Sequence, residues 1–414
     1  MLIILSHKIN WLRIATLLFL LMGWVLPCNA QYFTLDSNRR HITLPFRLVR
    51  NMIVIPLKIN NKGPFNFILD TGVGLMIITE PSLVDSINLA SKRIIKISGM
   101  GDGEDNEAYL TSLLKIDIEG LQSHGICAAI LKQDYFNLSN YAGIPIHGLL
   151  GYDFFSNLAV KINFGDSTIS ICRPKNLHVP HKANKIPITV EERKPYVEAG
   201  ITFENNKKIN CKLVIDIGAG HPVSIENMIK ENGLPQKFIS ANLGVGLNGA
   251  IDGFISRINE VDLGKYKLKN VLASFPDQNN AKIISAVPRD GNLGIGILKQ
   301  FDVIVDYPDN VIYLKPGLHF KETFEHDMSG LEYYATGDGY HHVIISRVEP
   351  GSAGDEVGLE KGDEIMAINL EPVAHMSLED IDSIFKSKED RSILLEVFHD
   401  KKYDRVILTL KRRI

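Results

Sequence analysis

The phrase Ile68-Leu69-Asp70-Thr71-Gly72-Val73-Gly74 returns in the second half of this 414-residue chain as Val214-Ile215-Asp216-Ile217-Gly218-Ala219-Gly220. Each copy ends an apolar run on an aspartate and then turns on glycine, which sets a carboxylate at the mouth of a buried strand. Burial and a like-charged neighbour both raise the pKa of a carboxyl. Two such carboxyls a few ångströms apart share one proton. The ionised partner can then draw a proton from a water while the protonated one hydrogen-bonds a carbonyl, which is general acid–base hydrolysis without a covalent intermediate. Asp70 and Asp216 are therefore the candidate catalytic pair. Gly72 and Gly218 allow the tight turn that aims main-chain N–H groups at each carboxylate, and Thr71 offers a hydroxyl to tie its loop to the other half; Ile217 occupies the matching position of the second loop.

For two aspartates so far apart in sequence to meet, the elements around them must repeat as well, and they do. Gly148-Leu149-Leu150-Gly151 is answered by Gly291-Asn292-Leu293-Gly294, and Val160-Lys161-Ile162-Asn163-Phe164 by Val303-Ile304-Val305-Asp306-Tyr307. A strand pair precedes each aspartate, at 53–59 with 65–69 and at 197–203 with 212–215. Between these anchors each copy carries a glycine-rich turn flanked by alternating apolar residues, with Gly99, Gly101 and Gly103 in the first and Gly244 and Gly246 in the second; both read as hairpin tips able to close over a cleft. Short strands, frequent Gly, Pro and Asn turns and few helical periodicities predict a mainly β fold of two homologous lobes, 31–174 and 175–318. Pseudo-two-fold symmetry then brings the equivalent aspartates together near the axis.

The chain resembles aspartic proteases of the pepsin and retropepsin type, and most closely secreted bacterial retropepsin-like proteins with both lobes in one chain. The residues that carry the resemblance are Ile68-Leu69-Asp70-Thr71-Gly72 with Leu149-Leu150-Gly151, the glycine-rich flaps, and Val214-Ile215-Asp216-Ile217-Gly218 with Leu293-Gly294. It implies a bilobal acid-protease fold, an aspartic endopeptidase activity on a polypeptide substrate, and no metal or organic cofactor. Two departures stand out. Ile217 replaces a second threonine, so half of the hydroxyl-based tie between lobes is missing, and Asn292 is polar where the pattern is apolar. They keep open an impaired protein that captures extended peptides, or a scaffold built around the C-terminal domain.

After a mixed-charge linker at 315–327, residues 328–414 resemble a PDZ domain of the kind attached to bacterial proteases, on the phrase Gly358-Leu359-Glu360-Lys361-Gly362-Asp363-Glu364-Ile365. The resemblance implies that a loop at Gly330, Leu331, Glu332 and Tyr333 offers N–H groups to a peptide C-terminus, and that the next strand pairs with the peptide. A helix is expected from Ser377 to Lys386.

Residues 1–30 read as an export signal: Lys8 and Arg13 precede an apolar core from Ile14 to Leu26, and Cys28-Asn29-Ala30 ends in small residues. An exported protein, periplasmic or extracellular, is expected, with an uncleaved N-terminal anchor as the alternative. The formal charge of −3 gives no electrostatic basis for nucleic acid or an anionic membrane surface. Cys127, Cys172 and Cys211 match no metal-binding spacing and read as buried thiols; one disulfide with a leftover thiol is the other arrangement. His221, His341-His342 and the acidic run Asp102, Glu104, Asp105 and Glu107 read as ordinary polar surface or turn residues.

Overall fold

The computed structural model describes residues 32–97, 99, 101, 103, 106–226, 235–277 and 286–414; the export-signal segment lies outside them. The first lobe is an 11-stranded sheet in which Met52–Ile59 pairs antiparallel with Lys62–Leu69. The second is an 8-stranded sheet in which Lys194–Thr202 pairs in the same way with Lys208–Asp216. Alternating burial along Leu114–Ile118 shows one face packed inward and one toward solvent, as a period-two pattern dictates.

A six-stranded sheet joins the lobes. Ala159–Asn163 and Phe301–Asp306 lie antiparallel at its centre, with Ala159 opposite Asp306 and Ile162 opposite Val303. These are the strands the duplication pairs, so the pseudo-two-fold axis passes between them. Each half continues the sheet outward, through Thr168–Cys172 to His41–Pro45 and through Val311–Pro316 to Asn184–Pro187. One large core runs through both lobes, from Phe33 and Phe154 to Phe275 and Leu314.

The C-terminal unit has its own core, including Tyr333, Ile345, Ile381, Phe385 and Leu395. Its sheet begins with Leu331–Thr336 at one edge, followed by His342–Val348 and Glu364–Ile368. Helix Leu378–Phe385 starts at Ser377, whose side chain and that of Asp380 form a reciprocal capping box. The linker is packed rather than free. Arg257 donates to the Phe324 carbonyl at 2.9 Å and Gln300 to the Glu322 carbonyl at 3.0 Å. The charged linker residues take part as well, Glu325 pairing with Arg412 and Arg257 and Lys315 with Asp302.

Burial pushes the Cys211 thiol up to about 12 and raises Cys172 as well, which removes both as nucleophiles near neutral pH. Among the described residues no helix is long and apolar enough to cross a membrane.

Candidate active site

Each aspartate is delivered by the same device. Lys62–Leu69 runs parallel to Gly148–Leu150, and the Asp70 N–H donates to the Leu150 carbonyl at 3.0 Å where the strand ends. In the second lobe Lys208–Asp216 runs parallel to Gly291–Gly294, with Asp216 beside Gly294. The loop then folds back on its own carboxylate. Gly72 N–H reaches Asp70 Oδ1 at 2.7 Å, and Gly218 and Ala219 N–H reach Asp216 Oδ1 at 3.0 and 3.1 Å.

The two loops bring the carboxyls close together, Gly218 lying against the Asp70 carboxyl and Gly72 against that of Asp216. Desolvation, then the negative charge of Asp216, hold the Asp70 pKa well above the ordinary carboxylate range. The loop glycines set this close approach. A Cβ on Gly72 would stand 2.7 Å from Asp216 Oδ2, and one on Gly218 would overlap the Asp70 carboxyl.

Thr71 ties the loops together from the first lobe. Its hydroxyl donates to the Ile215 carbonyl at 2.7 Å and accepts from the Ile217 N–H at 3.0 Å, in fully buried surroundings. Ile217 makes no reciprocal hydroxyl contact; its side chain is buried in the common core. Removing the hydroxyl in Thr71→Val strands a buried N–H and a buried carbonyl, at about 1–3 kcal/mol each. Urea unfolding is expected to show a lower midpoint with an unchanged slope.

A second, cross-lobe tie was not legible in sequence. Equivalent tight turns, Arg50–Asn51 and Glu192–Arg193, have φ values of 45 and 62° and of 47 and 63°. From them Asn51 Nδ2 donates to the Gly220 carbonyl at 3.2 Å, and Arg193 Nη1 donates to the Gly74 carbonyl at 3.2 Å. Gly74 and Gly220 each lie four residues past an aspartate, so each lobe steadies the other's active loop.

Asn292, which breaks the sequence pattern, faces the dyad. Its Nδ2 donates to Asp216 Oδ2 at 2.9 Å, a contact that the apolar Leu149 of the first copy cannot make. Asn292→Leu removes this donor from a reacting carboxylate, and turnover is expected to fall by about tenfold, the size of a hydrogen bond to a charged group. Unchanged steady-state turnover would refute that role.

Three more polar groups surround the pair. Lys194 is held below its ordinary pKa by burial and by Arg289, against the pull of Asp216, Asp70 and Glu226. Desolvation lowers the His221 pKa against the pull of Asp216. The buried Tyr307 hydroxyl is pushed well up by desolvation and by the two aspartates. Only the spacing of His221 from Asp216 hinted at any of them.

The two hairpins meet near their tips. The first hairpin pairs Lys92–Ile97 with Asn106–Thr111, and the second pairs Ile239–Gly246 with Gly249–Leu263. Gly99 N–H donates to Asn248 Oδ1 at 2.9 Å, Gly103 N–H to the Asn248 carbonyl at 2.6 Å, and Asn106 to the Leu247 carbonyl. Gly101 packs against the Asn248 backbone, while Gly244 (φ +123°) and Gly246 lie in the strand leading to the second tip. Asp102, Glu104 and Asp105 lie outside the described residues, and Glu107 pairs with Lys132 at 2.6 Å.

In the C-terminal unit the four expected carboxylate-loop residues are used differently. Leu331, Glu332 and Tyr333 begin a strand. The Gly330 N–H is taken by Asp327 Oδ1 at 2.8 Å and the Leu331 N–H by Ser329 Oγ at 3.1 Å. Glu332 binds Arg347 at 3.1 Å. Position relative to the PDZ phrase could not reveal that the chain satisfies these donors itself.

Two duplicated β lobes that share one sheet and each give an aspartate to a common dyad define the bilobal acid-protease fold, here with a PDZ unit behind it. The comparisons agree: residues 55–154 match the family model for aspartyl protease and residues 344–397 that for the PDZ domain. The chain thus carries an aspartyl-protease region and a C-terminal PDZ domain. Among solved structures, an aspartic proteinase from Irpex lacteus aligns over 68% of this chain and 99% of its own, at 10% identity and a TM-score of 0.43. The photosystem II D1 C-terminal processing protease aligns over 21% of this chain at 20% identity and a TM-score of 0.20; the chain spans 23% of that protein's length. No curated protein matches the chain.

Proposed function

We propose that the protein is an aspartic endopeptidase that hydrolyses polypeptides with the Asp70–Asp216 dyad. The observation that supports this most is the mutual approach of the two loops, in which a Cβ on Gly72 would stand 2.7 Å from Asp216 Oδ2 and one on Gly218 would stand 2.3 Å from Asp70 Cγ. Asp216, held by hydrogen bonds from Gly218, Ala219 and Asn292, acts as base toward a water in the cleft. Asp70, protonated, hydrogen-bonds the scissile carbonyl and then supplies the proton its oxygen needs. The flap tips must part to admit a chain and close again to exclude bulk water. The C-terminal unit acts in peptide recognition, and the protein works after export, outside the cytoplasm.

Incubating the intact chain with an unfolded polypeptide at mildly acidic pH, and identifying new termini by mass spectrometry, tests the reading. Internal cuts are expected. Peptide binding without cuts would favour the impaired, peptide-capturing alternative.

A further inference from the structure

Leu331–Thr336 is the outermost strand of the PDZ sheet, and such an edge beside a helix is where an extended peptide docks. Here the edge is occupied by the first lobe. Arg50 makes a two-pronged contact with Asp382 on helix Leu378–Phe385, Nε to Oδ2 at 3.0 Å and Nη2 to Oδ1 at 2.9 Å. Its Nη1 donates to the carbonyl of Tyr333 on the edge strand at 3.2 Å and to the Tyr141 carbonyl of its own lobe at 3.1 Å. The guanidinium lies over both tyrosine rings, 4.4 Å from the Tyr141 centroid and 5.0 Å from that of Tyr333. The Tyr333 hydroxyl donates to Asp382 as well, so strand, helix and arginine close into one network. Beside it Gly143, at the end of Leu138–Ala142, fits against Leu378 and Ala335, where a Cβ would stand 3.3 Å from Leu378.

The next residue faces the other way. Asn51 donates to the Gly220 carbonyl in the Asp216 loop at 3.2 Å and accepts from Lys299 Nζ at 3.0 Å. One tight turn therefore fills the PDZ groove with its first residue and holds the catalytic loop with its second.

We propose that Arg50 is a built-in occupant of the PDZ groove, standing where an arginine of an extended peptide would bind, and that such a peptide must displace it. The chemistry that holds Arg50 is the recognition code: a carboxylate fork, an aromatic face and an edge carbonyl select a guanidinium on a strand-forming peptide. Displacement moves the turn and releases Asn51 from the Asp216 loop, so groove occupancy and turnover oppose one another, and each weakens the other by the same factor in binding. The binding half stands alone; the coupling half rests on the endopeptidase reading.

The test uses the intact chain with a fluorescent, uncharged-flank decapeptide carrying one central arginine, and the same peptide with leucine there. Arg50→Ala is expected to bind the arginine peptide about tenfold or more tightly than the wild type, because the competing state is gone. In Arg50→Ala the leucine peptide should bind more weakly than the arginine peptide, and Asp382→Asn in the Arg50→Ala background should erase that preference for arginine. Arg50→Lys, which keeps the charge but loses the fork, should fall between wild type and Arg50→Ala if the turn is intact. Equal affinity of wild type and Arg50→Ala, or binding by neither, overturns the proposal. Absence of turnover in all variants, with the binding gain present, would overturn the endopeptidase reading and the coupling while leaving the groove assignment in place.

Discussion

Asp70→Asn and Asp216→Asn are each expected to lower peptide hydrolysis by about 10³-fold or more, with the fold retained. Asparagine is nearly the same shape, and its carbonyl oxygen can still accept the loop N–H groups that hold Asp70 and Asp216. What is lost is the single mobile proton. With asparagine at 216 the group assigned as base toward the water is gone; with asparagine at 70 the carbonyl oxygen loses the acid assigned to protonate it. Steady-state turnover and thermal unfolding on the same preparations separate a chemical from a structural effect. The pH dependence of stability gives an independent check. Asp70 has a raised pKa in the folded protein, so its contribution is present at low pH and lost as pH rises through that folded value. Asp70→Asn should flatten that loss.

The second large effect is expected from Gly218→Ala. The added methyl would stand 2.3 Å from Asp70 Cγ, so the Asp70 carboxyl must shift to make room for it. Displacement of a reacting group by about 1 Å costs on the order of 10²-fold in rate. Turnover should therefore drop by about that factor. Gly72→Ala, which sets a methyl against Asp216, should act in the same direction. Wild-type turnover in both variants would mean that the close approach of the loops is not what assembles the site.

Much of this architecture is legible in the sequence because the duplication preserves local patterns. Apolar runs ending at Asp70 and Asp216, the strands around Val160 and Val303, and the glycine-rich tips are each set by nearest neighbours along the chain. The cross-lobe contacts are not. Nothing near Arg50 in sequence points to Asp382, because their meeting depends on how a PDZ unit docks on a lobe. Asn292 looks like a blemish until the parallel pairing with Lys208–Asp216 turns its amide toward the dyad. Ile217 is the converse. It breaks the hydroxyl pattern, and the structure keeps the loops tied through Thr71 and through the Asn51 and Arg193 turns. Such turns carry no sequence signal beyond their tolerance of positive φ.

The measurement that tests the central claim most directly is the pH–rate profile of peptide hydrolysis by the wild-type chain. A shared-proton dyad predicts a bell, rising as the first carboxyl of the pair ionises and falling as pH passes the raised pKa of Asp70 and the last shared proton leaves. A rate that keeps climbing after both carboxyls have ionised, or no hydrolysis at any pH, would contradict it.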